Sequence, residues 1–285
     1  MDVFLTGGTG LVGSHVLTAL LADGHTVRAL ARSAASAAAV EAAGATAVRG
    51  ELTDTDLVAR EAVDADGVIH TASPGDETSA DVDQAFLDAV LGAIANSGKP
   101  YLHTGGCWVH GSGQIDEDTP RAAPQLTAWR QPLDERVTSA RDGVRSVLIE
   151  PGIVYATQDG QVAGITGVVL GGPTDDDGAT QLPGSGDQHW TTVHAADLGR
   201  LYSLALTHAP AGSTYLGVSG QNPTVREIGE AAGLRVVGTS DEATNERLGL
   251  FGEALLLDQQ ATGEKARTEL GWTPTEAPLL ETVAR

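Results

Sequence analysis

The chain is poor in several residue types that would mark particular classes of protein. It has one cysteine, Cys107, which cannot form an internal disulfide, and the cytoplasm is therefore the expected compartment. No run of about 18 apolar residues occurs, which argues against a membrane-spanning helix. A strand-like segment, Val3–Leu5, begins almost at Met1 with no basic, apolar leader before it, so no secretory signal peptide is expected.

Positive charge is also scarce. Against 38 acidic residues there are 17 basic ones, of which only Lys99 and Lys265 are lysines, and the formal net charge is −21. A surface of this sign repels polyanions, so neither nucleic acid nor an anionic membrane is an expected partner. A small anionic ligand could bind only where arginines or backbone N–H groups offset the overall field.

What is present is an alternation of strand and helix patterns over the first 150 residues. Such a rhythm predicts an α/β fold, a doubly wound parallel sheet with helices on both faces. We expect a dinucleotide-binding domain over residues 1–155, with 191–218 returning to it, and a smaller substrate lobe over 156–190 and 219–285. The predicted strands are Asp2–Thr6, Thr26–Ala31, Thr46–Arg49, Gly67–Thr71, Lys99–Thr104 and Arg145–Glu150.

A glycine-rich loop joins the first predicted strand to the first helix. Gly7 would permit the tight turn, Gly10 would let backbone approach a pyrophosphate, and Gly13 would allow close packing of helix and strand. A glycine-rich turn without a ligand is the alternative, but the position inside a βαβ unit favours a dinucleotide. The predicted contacts are Thr6, Gly7, Thr9, Gly10, Leu11, Val12 and Gly13.

The end of the second strand indicates which dinucleotide binds. An acidic residue there would accept hydrogen bonds from the ribose 2′-hydroxyl of NAD, and the sequence has Arg32 and Ser33 instead. A guanidinium can hold a 2′-phosphate, so the pattern favours NADP(H), with a solvated surface arginine as the alternative.

These motifs resemble those of the short-chain dehydrogenase/reductase superfamily, in its extended epimerase/dehydratase type, over nearly the whole chain. Thr6–Val16 resembles the opening motif, and Val193–Leu198 and Leu270–Pro274 resemble later signatures. The resemblance implies further cofactor contacts in four segments: Glu51 and Leu52; Thr71, Ala72 and Ser73; Thr104; Pro151 and Ile153.

The sequence departs from that family at its catalytic residues. The family uses a Ser or Thr after strand five, then a Tyr and, four residues later, a Lys. Alignment places Gly106, Trp129 and Leu133 at these positions, and no Tyr-x-x-x-Lys spacing occurs in the chain. The standard proton-transfer mechanism is therefore not expected.

Other groups must then supply the proton if a carbonyl is reduced. His110, expected at the cleft mouth, is the first candidate because imidazole titrates near neutrality; Tyr155 and Thr104 follow. A surface histidine, a core aromatic and ordinary packing are the respective alternatives. The predicted substrate pocket comprises Cys107, Trp108, Trp129, Arg130 and Trp190. The cysteine and the tryptophans could instead belong to the core, and Arg130 could be a helix-surface arginine.

His189 and His194 lack a third ligand at suitable spacing, so no metal is expected. The sequence thus predicts an NADP(H)-dependent oxidoreductase acting on a small, fairly apolar carbonyl or imine, with a non-standard proton donor. A redox-neutral isomerase, cyclase or lyase, or a non-catalytic NADP-sensing protein, remains open. A homodimer could form through the predicted helices Asp81–Asn96 and Thr127–Ala140.

Overall fold

The computed structural model describes residues 1–139, 143–158 and 160–284. Its strands are β1 Asp2–Thr6, β2 Thr26–Ala31, β3 Thr46–Arg49, β4 Gly67–His70, β5 Pro100–Thr104, β6 Gly113–Gln114, β7 Arg145–Pro151, β8 Ile153–Gln158, β9 Gln161–Gly164, β10 Thr180–Gln181, β11 Thr192–His194, β12 Ser213–Gly217, β13 Val236–Val237 and β14 Gln259–Gln260.

Helices connect most of these strands. They are α1 Leu11–Ala22, α2 Ala34–Ala42, α3 Thr55–Asp64, α4 Ser79–Ala93, α5 Arg130–Ser139, α6 Gly167–Leu170, α7 Ala195–His208, α8 Val225–Ala231, α9 Asp241–Leu248, α10 Leu250–Leu255, α11 Glu264–Leu270 and α12 Leu279–Val283, with a 3₁₀ turn at Cys107–His110.

Seven parallel strands form the central sheet in the order β3-β2-β1-β4-β5-β7-β12. The register sets Leu5 of β1 between Ala29 and Ile69 of its neighbours. Central strands are buried on both faces, which explains why β1 and β4 are almost wholly apolar. The predicted doubly wound α/β fold is confirmed.

Two apolar cores flank this sheet. One packs α1 and α7 against it, with Leu17 and Leu201 among its members; the other packs α3, α4 and α5, with Phe86 and Val137. β12 pairs with β7 and extends the sheet, so the chain returns to the first core after residue 191. Among the described residues, no helix is long and apolar enough to cross a membrane.

The remaining segments form a smaller lobe with its own core. This core contains Trp190, and further members are Ile153, Tyr155, Val169, Leu182, Val225, Ile228, Leu255 and Leu279. Here β8 lies between β11 and β9 in a separate three-stranded sheet, so residues 192–194 are not part of the central sheet, although Val193 packs into its first core. Ala140, Asp159 and Arg285, which the predicted helix and lobe boundaries include, lie outside the described residues.

Candidate active site

The glycine loop lies at the carboxyl end of β1. Gly7 has φ +77°, and a Cβ there would stand 2.6 Å from Thr71 Oγ1. A Cβ on Gly13 would overlap the carbonyl oxygen of Gly7. Gly10 differs, because a Cβ there would meet only the Gly7 oxygen, at an ordinary 3.4 Å. Packing within the protein therefore requires glycine at 7 and 13, whereas the space beside Gly10 is open to a ligand.

The same loop leaves the start of α1 without a side-chain cap, since Gly10 is its N-cap residue. The first N–H groups of a 12-residue helix are then available to an anion. A cleft of about 480 Å³ opens in front of them. Its lining includes Gly7, Thr9, Gly10, Arg32, Glu51, Leu52, Thr71, Ala72 and Ser73.

Arg32 lies at one end of this cleft, directly after β2. It is exposed and forms no ion pair with any residue that the structure describes. Ser33 does not line the cleft, because its hydroxyl accepts a hydrogen bond from Ser36 N (3.0 Å) and caps α2. Ser36 lines the cleft instead, so a cation and the start of a helix face the same space.

A second cavity, of about 820 Å³, adjoins the first, and both are lined by Ser73. It lies at the carboxyl ends of β5 and β7. Its apolar wall consists of Val12, Ala80, Trp108, Leu126, Trp129, Pro151, Ile153, Val154, Ile165 and Leu250. Its polar lining consists of Ser73, Asp76, Glu77, Ser79, Thr104, Cys107, Gln125, Thr127 and Arg130.

Arg130 is the one basic side chain among these lining residues. Its guanidinium carbon lies 4.4 Å from the ring centroid of Trp129, and its Nη1 donates a hydrogen bond to the Thr104 carbonyl (3.1 Å). It forms no ion pair within the described part of the chain. The guanidinium is thus held in place without being neutralised by a carboxylate.

The chain is similar to known proteins in both sequence and fold. A family model described as NAD(P)H-binding matches residues 7–100. The chain is 31% identical over 296 residues to the uncharacterized protein C2A9.02 of Schizosaccharomyces pombe, covering 100% of this chain and 98% of that protein. DesIV is a dTDP-glucose 4,6-dehydratase from Streptomyces venezuelae whose structure has NAD and TYD bound. It has a TM-score of 0.77 at 22% identity, and the match covers 99% of this chain and 96% of DesIV. UDP-glucose 4-epimerase from Thermus thermophilus, in complex with NAD, has a TM-score of 0.73 at 22% identity, and the match covers 100% of this chain and 97% of the epimerase.

The chain belongs to one family with the Schizosaccharomyces pombe protein, matches the NAD(P)H-binding family over residues 7–100, and shares its fold with epimerases and dehydratases of the extended short-chain dehydrogenase/reductase type. Trp129 immediately precedes α5 and is half-buried against the cavity. Leu133, one turn further, is buried in the core with α3 and α4. Lys99 lies at the opposite end of β5, and Lys265 lies over the ring of Tyr215. Neither lysine lines the cavity.

The structure does not place His110 at the cleft mouth. The ring is buried; its Nδ1 lies 2.8 Å from the Thr119 carbonyl oxygen and its Nε2 lies 2.9 Å from Glu150 Oε2. Burial disfavours the charged ring, but the hydrogen bond and charge of Glu150 outweigh burial and raise the pKa of His110. Both ring nitrogens are hydrogen bonded to protein groups, and His110 does not line the cavity.

Tyr155 and Trp190 also lie away from the cavity, in the core of the smaller lobe. The Tyr155 hydroxyl donates to the Ala277 carbonyl (2.7 Å), and burial raises the pKa of this phenol. Trp190 Nε1 donates to the Leu255 carbonyl (3.1 Å). Long-range packing, which local sequence does not reveal, places both side chains there.

Thr104 and Cys107 do line the cavity, but each is already hydrogen bonded. Thr104 Oγ1 donates to the His70 carbonyl (2.6 Å) and lies 2.6 Å from the Tyr202 hydroxyl oxygen, which therefore donates to it. Cys107 Sγ donates to the Glu150 carbonyl (3.1 Å), and burial raises the pKa of the thiol. Neither presents an activated nucleophile.

Three further predicted cofactor residues stay behind the cleft surface. Thr6 is buried with its Oγ1 2.7 Å from His70 Nδ1, and neither Leu11 nor Gly13 lines either cavity. Sequence reasoning missed cavity residues from connecting segments and helix starts that carry no motif: Asp76, Glu77, Ser79, Gln125, Leu126, Thr127, Ile165 and Leu250. Within the described ranges, no three His, Cys, Asp or Glu side chains are grouped to hold a metal ion.

Proposed function

We propose that this chain is an NADP(H)-dependent oxidoreductase acting on a small, fairly apolar carbonyl or imine. The observation that supports this most directly is the junction of the two cavities at Ser73. A dinucleotide held along the glycine loop would direct its reactive end towards an apolar cavity containing a single guanidinium, Arg130.

The preference for NADP(H) rests on charge in the cofactor cleft. A 2′-phosphate would lie between the Arg32 guanidinium and the start of α2, both of which favour an anion. No carboxylate follows β2, where an NAD-specific site would have one.

NADPH, if bound there, would supply a hydride, and negative charge would then develop on the substrate oxygen or nitrogen. Arg130 would stabilise that charge, because a guanidinium within an apolar wall is weakly screened. We assign the proton to solvent water: the candidate side chains His110, Tyr155 and Thr104 are all bonded to protein carbonyls. The rim residues Asp76 and Glu77 are exposed, so water has access.

The test is NADPH oxidation measured across aldehydes, ketones and cyclic imines of graded size, with NADH in parallel. We expect turnover with small apolar members and a preference for NADPH. Tight NADPH binding without turnover of any member would contradict the reductase proposal and favour a sensing role.

A redox-neutral reaction is the second candidate, and the fold likeness to a dehydratase and an epimerase favours it. In that case the cofactor would be regenerated within each cycle. Product formation without net NADPH consumption, followed by chromatography, would separate this candidate from the reductase.

A homodimer through α4 and α5 remains a proposal. The apolar positions Phe86, Leu87 and Val90 of α4 face the sheet, and the two helices are joined on their outer side by an ion pair between Arg136 and Asp88. A dimer would therefore form through a polar surface. Light scattering at micromolar concentration would test it, since a single chain mass would contradict it.

A further inference from the structure

Four ionisable side chains form a buried cluster beneath the floor of the substrate cavity. Arg121 Nη1 lies 3.0 Å from Asp134 Oδ2, and its Nη2 lies 2.9 Å from Glu150 Oε1. His110 Nε2 contacts the other oxygen of Glu150 at 2.9 Å. The side chains of His110, Asp134 and Glu150 are at most 2% exposed and that of Arg121 is 17% exposed. Buried charges at this density are costly unless mutually paired, so the geometry of the cluster is tightly constrained.

The hydrogen bonds of His110 determine how many protons the His110–Glu150 pair carries. Its Nδ1 must donate to the Thr119 carbonyl, because a carbonyl only accepts. The contact between Nε2 and Glu150 then also needs a hydrogen, carried by either partner. The His110–Glu150 pair therefore holds one proton more than a neutral imidazole and a carboxylate would, and it is balanced in charge without Arg121.

The four side chains come from four different parts of the chain. His110 ends the 3₁₀ turn, Glu150 is on β7 and Asp134 is on α5. Arg121 belongs to loop 111–128, the connection from the 3₁₀ turn to α5 that includes the two-residue strand β6. That loop supplies Gln125, Leu126 and Thr127 to the cavity wall. Its anchors near Arg121 are the Thr119 carbonyl on His110 and a backbone bond from Ala122 N to Val109 O (2.9 Å).

The cluster also adjoins the cavity floor directly. Gly105 lines the cavity, and a Cβ there would lie 3.1 Å from Glu150 Cγ and 3.4 Å from Asp134 Oδ1. A displacement of Arg121 would therefore affect the loop wall on one side and the floor at Gly105 on the other.

We propose that Arg121 is a positioning residue: by bridging Asp134 and Glu150, it holds loop 111–128 in place as the wall of the substrate cavity. For substrate binding, this inference rests on the function proposed above. Arg121 itself lines neither cavity, so it acts through Gln125, Leu126 and Thr127. The cofactor cleft shares no residue with the loop, and its affinity for NADPH should not depend on Arg121.

The test uses the charge-balanced double variant Arg121→Met/Asp134→Asn. Above about pH 7, where the Asp134 carboxylate is ionised, the double variant removes one positive and one negative charge. It leaves the contact between His110 and Glu150 in place, so the fold should survive. The matched control is Arg136→Met/Asp88→Asn, which removes an exposed ion pair between α5 and α4.

We expect amide hydrogen exchange across 111–128 to accelerate about tenfold in the double variant, with β1 and α1 unchanged. KM for the best carbonyl should rise about fivefold or more while kcat stays within about threefold and NADPH affinity within about twofold. Arg121→Lys should restore little, since one ammonium cannot span both carboxylates as the guanidinium does.

Unchanged exchange in 111–128 would overturn the proposal, as would equal acceleration in the control. A rise in exchange with KM unaltered would also overturn it, because the loop would then not shape substrate binding. Should the wild-type protein reduce no carbonyl, the proposed function fails, and the exchange result alone decides whether Arg121 holds the loop.

Discussion

The cofactor cleft and the substrate cavity adjoin, yet they are built in different ways. The cleft is lined entirely by residues between Gly7 and Val82, in short segments that each follow a strand of the central sheet. The cavity draws on residues from Val12 to Leu250. The cleft depends chiefly on backbone shape, whereas the cavity depends on side chains brought together by tertiary packing.

The largest expected effect concerns the cavity. Arg130→Met should lower kcat/KM for carbonyl reduction by about 10²–10³, the usual cost of removing a donor that stabilises a developing oxyanion. NADPH affinity should stay within a few fold. Arg136→Met, on the exposed side of the same helix, is the control, and equal kcat/KM in both variants would exclude Arg130 from the chemistry.

The glycine loop offers the corresponding test of the cleft. Gly13→Ala forces a Cβ onto the Gly7 carbonyl and should lower the free energy of unfolding by about 3 kcal/mol, or the melting temperature by roughly 5–10 °C. Gly10→Ala has room within the protein and should keep its stability, yet weaken NADPH by about tenfold or more through loss of close phosphate contact. Thermal melts and calorimetry separate the two. Equal melting temperatures would show that the loop is less tightly packed than its geometry implies.

Within the cleft, one side chain should govern the choice of dinucleotide. Arg32→Ala should weaken NADPH by about tenfold to a hundredfold, since a charge-assisted contact contributes roughly 1.5–3 kcal/mol. NADH should bind almost as before. Arg60→Ala, an exposed arginine on α3, provides the control. Equal losses of affinity for NADPH and NADH, measured by calorimetry, would show that Arg32 does not contact the 2′-phosphate.

The smallest expected effect concerns the pH dependence of stability and arises from Asp134, which lies beneath the floor of the substrate cavity. Burial and the charge of Glu150 raise the pKa of Asp134 to about 7, against the opposing influence of Arg121, Arg130 and His110. Between about pH 4 and 7 the native state then binds more protons than the unfolded chain, so stability falls as pH rises through that window. Asp134→Asn should flatten this slope, by on the order of 1–2 kcal/mol across the window.

Denaturant titrations at several pH values measure that slope. Asp88→Asn, which changes an exposed aspartate of α4, is the control and should leave it nearly intact. If the stability difference between wild type and Asp134→Asn does not fall from pH 4 to 7, relative to the same difference for Asp88→Asn, the assignment of a raised pKa to Asp134 is wrong.

The sequence predicted the sheet well because each of its signals is local. A buried parallel strand such as β4 is a short apolar run, and a glycine after β1 marks a turn whatever follows it. The predicted starts of α4 and α5 were displaced by two or three residues, since Ser79 and Arg130 rather than Asp81 and Thr127 begin the helices. Helix ends depend on caps and on tertiary contacts as well as on pattern.

By itself the sequence determined the order of strand and helix, the glycine loop, and a cation at the end of β2, because these depend on neighbours within a few residues along the chain. Only the tertiary structure decided the positions of His110 and Tyr155, whose partners Glu150 and Ala277 are 40 and 122 residues away. The same holds for the cavity, which brings Trp129 and Leu250 together. The position of a polar side chain depends on where its hydrogen-bond partner lies, and a partner distant in sequence is fixed only when the whole fold forms.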